Sequence, residues 1–318
     1  MVHWQQLRET HLGVHFEDII PPNVKLPMLP SVVIEFTRKA EDPDVSTQKL
    51  TKIIESDAGI TTELLRYVNS SMVGLRNKAS SVQQALNLLG IRTVKLFLIT
   101  TGMKSALSSR QSKMVNLKNF WATNLERALF SREIARLLGA DSDLAFAASM
   151  LQDSLLPVLT NELYKYYVSY AELPEESNLN LTSFEDQTFR WNHTMATAAV
   201  MHHWGFPDDL ICCILFHHKG LMVLSEAEMA KSPIAAVAVA SLLPDPLNQE
   251  RNGLVRLHKL QTLWPKFELD KVVEAVDSQF AELSPGVSPD FPLKHRYDKM
   301  MEKMGETAEA APAATPAG

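Results

Sequence analysis

The chain has 318 residues, 46% hydrophobic and 21% charged, with a formal net charge of -6 and a pI near 5.9. That is an ordinary globular composition with a good-sized core, long enough for one large or two modest domains, and its acidity gives no global attraction to nucleic acid or anionic membrane. The two cysteines, Cys212 and Cys213, are adjacent, which excludes a disulfide framework and fits a reducing compartment.

Met1 to Asp18 mixes His, Arg and Glu with single apolar residues, so no targeting signal is expected there. The longest near-continuous apolar run, Ile234 to Leu243, is far shorter than the roughly 20 residues of a spanning helix. The chain is therefore expected in the cytoplasm, with neither membrane nor nucleic acid as partner.

The apolar periodicity is helical nearly throughout, and no alternating strand stands out. Leu26-Pro27-Met28-Leu29-Pro30 reads as a stiff entry to a first helix, because proline fixes φ. Ser46 is placed to cap a helix carrying Leu50, Ile53 and Ile54, and Asp57 to cap the next, with Ile60, Leu64, Leu65 and Val68 as its stripe. Asn69, followed by Ser70 and Ser71, reads as a stop, since Asn tolerates a left-handed backbone and bonds its own chain. Ser81 with Gln84 forms a capping-box pattern, Gly90 ends that helix, and a further short helix carries Val94, Phe97 and Leu98.

Ser108 to Asn116 reads as a linker, followed by a long helix from Leu117 to Leu138 that stops at Gly139. The next helix begins near Asp141 and runs to Leu156, where Pro157 should end or kink it. Glu172 to Thr182 reads as a loop, and helices resume at Ser183, at His193 to Trp204, from Pro207 to His218, and from Ser232-Pro233 to Leu243. Beyond Pro244 a helix ends near Trp264, another spans Leu269 to Leu283, and a last amphipathic one runs from Leu293 to Met304. The tail from Gly305 to Gly318 has nothing to bury and is expected to be disordered.

Four separated segments carry a further signal: Leu26 to Val32, Ile53 to Asp57, Leu64 to Ser71, and Ala85 to Gly90. In that order and spacing they resemble the HDOD family, the HD-related output domains of bacterial signalling proteins, over roughly Ile19 to Leu243. Pro27, Pro30, Asp57, Asn69, Ser70 and Gly90 are the motif positions that carry it. The resemblance implies an all-α fold, with an N-terminal multi-helix subdomain (19–107) packed on an HD-like helical subdomain (117–243). A helical C-terminal extension (244–304) follows.

It also implies kinship with metal-dependent phosphohydrolases, which use His and Asp ligands to hold ions that activate water. The first family His should follow an aromatic-Trp pair, yet Phe120-Trp121 is followed by Ala122-Thr123-Asn124. The paired His-Asp reads Gln152-Asp153, and a later Asp near Ala240 reads as Ser241 or its neighbours. Asp153, His193, His217 and His218 survive as pocket candidates. As an i, i+1 pair on a helix, His217 and His218 project about 100° apart and cannot converge on one ion unless the helix ends there.

The expectation is thus a non-catalytic regulatory module, with no cofactor, metal or catalytic residue, that binds a signalling partner, with a small nucleotide as a candidate ligand. The competing reading is a phosphohydrolase or cyclic-dinucleotide phosphodiesterase using those four residues. No glycine-rich phosphate loop, Gly-x-Ser-x-Gly elbow or zinc-finger cysteine spacing points elsewhere. His202-His203 at a helix end is expected to interact with that terminus, and Cys212-Cys213 to be small buried hydrophobes.

Overall fold

The computed structural model describes residues 2–13, 24, 26–75, 78–108, 112–174, 177–283 and 292–309, the last four as backbone only. These residues form sixteen α-helices and one 3-10 helix, with no strand among them, so the all-α expectation holds.

Helix α1 (Trp4–Leu12) precedes the helix that the sequence reads as first; only Arg8 and Leu12 are buried on it, too few to show a stripe. Pro30 holds the N-cap of α2 (Ser31–Lys39) at φ -55°, and Val32, Val33 and Phe36 point into the core. Helices α3 (Thr47–Glu55) and α4 (Ala58–Val68) start at the expected caps. Ser46 Oγ accepts from Lys49 N at 3.3 Å, and Asp57 Oδ1 from Ile60 N at 2.9 Å.

Asn69 does close α4, but at φ -91° rather than in the left-handed region. Its work is done by the side chain: the amide donates to Leu65 O and Ala79 O, and its oxygen accepts from Ala79 N at 2.7 Å. Ser70 Oγ donates to Tyr67 O.

Helix α5 (Val82–Ser108) breaks at Gly90, whose φ of 79° and ψ of 157° are non-helical. The stop falls where expected, but the helix beyond it runs to Ser108 instead of being short. Ser81 caps Gln84 N, while Gln84 Oε1 turns to Ser80 N at 2.8 Å, one residue away from a reciprocal box. Gly102 lets α5 cross close to α2: a Cβ there would sit 2.6 Å from Val33 Cγ2. By length and composition α5 would reach across a membrane. The Gly90 break divides it, and its buried residues pack on α2, α3 and α4, which gives its apolarity a structural cause.

Helix α6 (Leu117–Leu138) is the central element; Asn116 caps it and Gly139, at φ 67°, ends it as expected. Against it pack α7 (Ser142–Leu151), α13 (Pro233–Ala240) and α15 (Leu269–Leu283), while α5 reaches α7 and so joins the N-terminal helices to the rest. Helix α7 stops at Leu151, not Leu156. Pro157 opens α8 (Leu156–Glu162) instead, since a first turn needs no proline N–H. The turn between them holds Asp153.

A separate helix, α9 (Tyr164–Ala171), follows. Helix α10 (Leu181–Phe189) begins before Ser183, because Asn180 is its cap and accepts from Ser183 N at 3.0 Å. Helix α11 (His193–His203) is capped by Asn192. Helix α12 (Asp208–Leu215) ends before the histidine pair, and a 3-10 helix, His217–Ser225, takes over. Helix α1 packs on α12 and α11, tied by Arg8 Nε to Asp208 at 2.6 Å.

Helices α14 (Gly253–Leu263), α15 and α16 (Leu293–Glu309) form the C-terminal layer. Helix α16 continues past Met304 to Glu309, into the stretch read as disordered, because Glu306, Ala308 and Glu309 are adequate helix formers. Residues 310–318 of that tail lie outside the described residues.

Candidate functional site

Asp153 sits in the turn after α7, where its carboxylate is 1% exposed and divides its two oxygens between different neighbours. Oδ2 accepts from Arg127 Nη1 at 2.6 Å and Gln249 Nε2 at 2.9 Å. Oδ1 faces His193 Nε2 at 3.4 Å and His217 Nε2 at 3.3 Å. Each of these three atoms is buried without a hydrogen-bond partner.

The far sides of both imidazoles are held. His193 Nδ1 lies 2.6 Å from Glu185 Oε2, which also accepts from the His193 backbone N–H, and Tyr167 donates to Glu185 Oε1 at 2.6 Å. His217 Nδ1 lies 2.6 Å from Ile214 O. His218 differs: Nδ1 meets Glu250 at 3.0 Å and Nε2 meets Gln249 Oε1 at 3.1 Å, so both ring nitrogens are engaged.

One ligand atom from each of Asp153, His193, His217 and His218 lies within 4.8 Å of the others. The geometric objection to the histidine pair fails for a local reason: α12 ends at Leu215, and the 3-10 turn brings the two rings to 4.2 Å between centroids.

Burial alone would raise the Asp153 carboxyl, but the facing imidazoles and Arg127 outweigh it and hold it well below the usual carboxylate range. Burial opposes charge on His193 too, yet Glu185 and Asp153 on either side raise it to about 10. His217 goes the other way, pushed down to about 3 by burial and then by His218. Tyr167 is raised well above its ordinary value by burial and by Glu185. Tyr167 and Glu185 thus stand behind His193 as a fixed hydrogen-bond chain.

Two of the positions where the family pattern wants ligands have found each other. Ser241 Oγ donates to Gln152 Oε1 at 3.2 Å, and Asn124 donates to Met150 O at 3.4 Å. A further carboxylate, Asp245, stands on the loop after α13. It accepts from Arg127 Nη2 at 3.1 Å, beside the carbonyls of Leu243 at 2.8 Å and Ser241 at 3.3 Å.

Arg127, Glu185, Asp245, Gln249 and Glu250 escaped the sequence reading. The one visible signal was the polar series Asn124, Arg127 and Ser131 at helical spacing on the buried side of α6. Glu185, in a polar stretch, carried none. The motif positions Pro27, Pro30, Asp57, Asn69, Ser70 and Gly90 lie in the N-terminal helices and build caps, breaks and the Asn69 tie described above.

Two imidazole nitrogens and a carboxylate oxygen are donor types of a divalent transition metal, and hydrogen-bonded far sides are the usual support for such ligands; an ion there would have to displace the proton that Glu185 and Asp153 hold on His193. An ion there would polarise a bound water. Little space accompanies it: the cavity against Asp153, lined by Phe120, Thr123, Asn124, Asp245 and Gln249, measures about 10 Å³, room for one water.

The HDOD domain model matches residues 26–220. The chain belongs to the HDOD domain family. This match lies within the wider limits, 19 to 243, drawn from the motifs. A curated relative from Treponema pallidum, described as an uncharacterized protein, is 25% identical over 74% of this chain. The chain spans 45% of that relative's length.

Solved structures share the fold. An HDOD domain protein of unknown function from Geobacter sulfurreducens has a TM-score of 0.54 at 20% identity, covering 99% of this chain and 98% of its own. A protein from Shewanella amazonensis, described as a candidate metal-dependent phosphohydrolase, has a TM-score of 0.61 at 16% identity, covering 89% of this chain and 100% of its own. One from Marinobacter aquaeolei, described as a candidate signal transduction protein, has a TM-score of 0.53 at 17% identity, covering 96% of this chain and 66% of its own.

Proposed function

We propose that this HDOD chain is a non-catalytic regulatory module of bacterial cytoplasmic signalling that acts by binding a partner protein. The observation that carries this reading is Arg127. Its guanidinium has no solvent exposure, ion-pairs with Asp153 Oδ2 and Asp245, and is roofed by the Ser241 and Leu243 carbonyls. A hydrolytic centre needs an open coordination position and room for a phosphoryl group. Here a permanent cation occupies half of the central carboxylate, and the adjoining cavity has room for about one water. A small nucleotide, the ligand weighed from the sequence, would have to open this cleft before it could bind. The description of the Marinobacter relative as a candidate signal transduction protein supports the regulatory reading.

The second reading, a metal-dependent phosphohydrolase, is favoured by the convergence of Asp153, His193, His217 and His218 and by the description of the Shewanella relative. Turnover separates the two. The purified chain is given Mn²⁺ or Fe²⁺ with a phosphomonoester, a phosphodiester and a cyclic dinucleotide. The regulatory reading expects background hydrolysis that is the same in Asp153→Ala. Hydrolysis that Asp153→Ala abolishes would establish the enzyme instead.

A further inference from the structure

Helix α1 is seated on α12 in the manner of a bound ligand. Its buried residues Arg8 and Leu12, with half-buried Trp4 and Leu7, fall at i, i+3, i+4 and i+8, which is one face of a helix. That face meets Asp208, Cys212 and Phe216, spaced i, i+4 and i+8 along α12 and its C-cap. Arg8 Nε donates to Asp208 Oδ1 at 2.6 Å, Cys212 Sγ donates to Trp4 O at 3.4 Å, and the His11 ring stands edge-on to Phe216 at 4.9 Å between centroids. The seat does not depend on its occupant, since α12 also packs on α7, α11 and α13. The occupant does depend on its seat. At nine residues α1 is shorter than the roughly 12–15 that an isolated helix needs to persist in water, and its first turn has neither a side-chain cap nor an acidic residue.

We propose that this face of α12 is a docking surface for a partner's amphipathic helix, and that α1 occupies it in cis until the partner takes its place. The key that α1 displays is the one the partner supplies in trans: apolar residues at i, i+3 and i+8 around an arginine at i+4. Charge complementarity fixes the cation. Asp208 and Asp209 make the first turn of α12 acidic, and Asp209 is already met by Arg92, which leaves Asp208 to the incoming helix. A helix without that arginine would cover Asp208 and leave it unpaired. The surface ends at Phe216, one residue before His217, so its occupant bears on the turn that carries the histidine pair. The inference rests on the partner-binding reading but fails separately from it: turnover in the hydrolysis assay would remove that reading, and a helix that does not bind would remove this surface alone.

The probes are a synthetic peptide of residues 2–13 and the same peptide with Arg8→Glu, each offered to the full chain. In wild type, backbone hydrogen exchange should be about a hundredfold faster in α1 than in α12, and an excess of the first peptide should speed α1 further while α12 stays protected. The full-length double variant Leu7→Ala, Leu12→Ala loosens α1 and leaves the surface intact. It should bind the first peptide about tenfold more tightly than wild type does, because the cis competitor is weakened. The Arg8→Glu peptide should bind neither chain, and adding Asp208→Arg to the double variant should reverse the preference. Peptide binding indifferent to the Arg8–Asp208 pair, no binding to the loosened chain, or α1 amides that exchange no faster than those of α12 would overturn the proposal. A loosened chain that elutes as a dimer would make a second copy the occupant and overturn it too. Should the double variant fail to fold, the exchange of wild type with and without peptide decides.

Discussion

Arg127 is fully buried, yet nothing near it in sequence accounts for it: its ion-pair partners lie 26 and 118 residues away. Removing one member of a buried pair leaves an uncompensated charge and costs roughly 3–5 kcal/mol. Arg127→Ala is therefore expected to lower the unfolding free energy read from urea melts by that much, and a loss below about 1 kcal/mol would mean that the pair is spectator charge. Asn69 presents a smaller case. Its side chain bonds Leu65 O and both backbone groups of Ala79, so Asn69→Ala should cost about 1–3 kcal/mol through unsatisfied polar groups. Asn69→Asp should recover only the bond from Ala79 N. The contrast explains what could be read in advance. Ser46, Asp57 and Gly90 act on neighbours within a few residues, so their roles are visible in the chain; Arg127, Glu185 and Gln249 act across it, so theirs are not.

At the scale of elements, starts were legible and several ends were not. Caps such as Asp141 and Asn116 are local chemistry. The ends of α7 and α12 are set by tertiary demand: α7 stops so that Asp153 can turn inward, and α12 stops so that His217 can. Proline at position 157 was visible as a break, but its preference for a first turn gives it the opposite role from the one expected. Helix α16 offers a test at this scale. Arg296 pairs with Glu126, a buried carboxylate on α6 whose pKa is raised because burial outweighs the pull of that arginine. In Arg296→Ala, Glu126 loses its partner and can escape the penalty only by taking a proton. The destabilisation should therefore be larger at pH 8 than at pH 5 in urea melts. Equal losses at both pH values would place the contribution of Arg296 in packing alone.

For the whole molecule, the site writes itself into acid stability. Folded His217 has its pKa pushed down to about 3, so the unfolded chain binds a proton below about 6.5 that the folded one refuses. Stability should fall as pH drops from about 6.5 toward 3. Asp153, depressed when folded, adds to the loss below the ordinary carboxylate range of about 3.9. His193 has the opposite sign: raised to about 10, its contribution is full below about 6.5 and is lost as pH rises through about 10. A maximum near neutrality is expected, with a shallower acid limb in His217→Asn; an unchanged limb would remove His217 as its source.

The all-helical HD-related architecture was legible from motif order, because helices declare themselves by local periodicity. The state of the site was not, because it depends on how α6, the 3-10 helix and the loop after α13 meet. The most direct test of a closed, regulatory site is to measure metal content and phosphodiester hydrolysis on one sample throughout a Mn²⁺ titration. The account predicts hydrolysis flat at background at every Mn²⁺ concentration, whatever the occupancy. Hydrolysis rising in proportion to occupancy, and lost in Asp153→Ala, would contradict it.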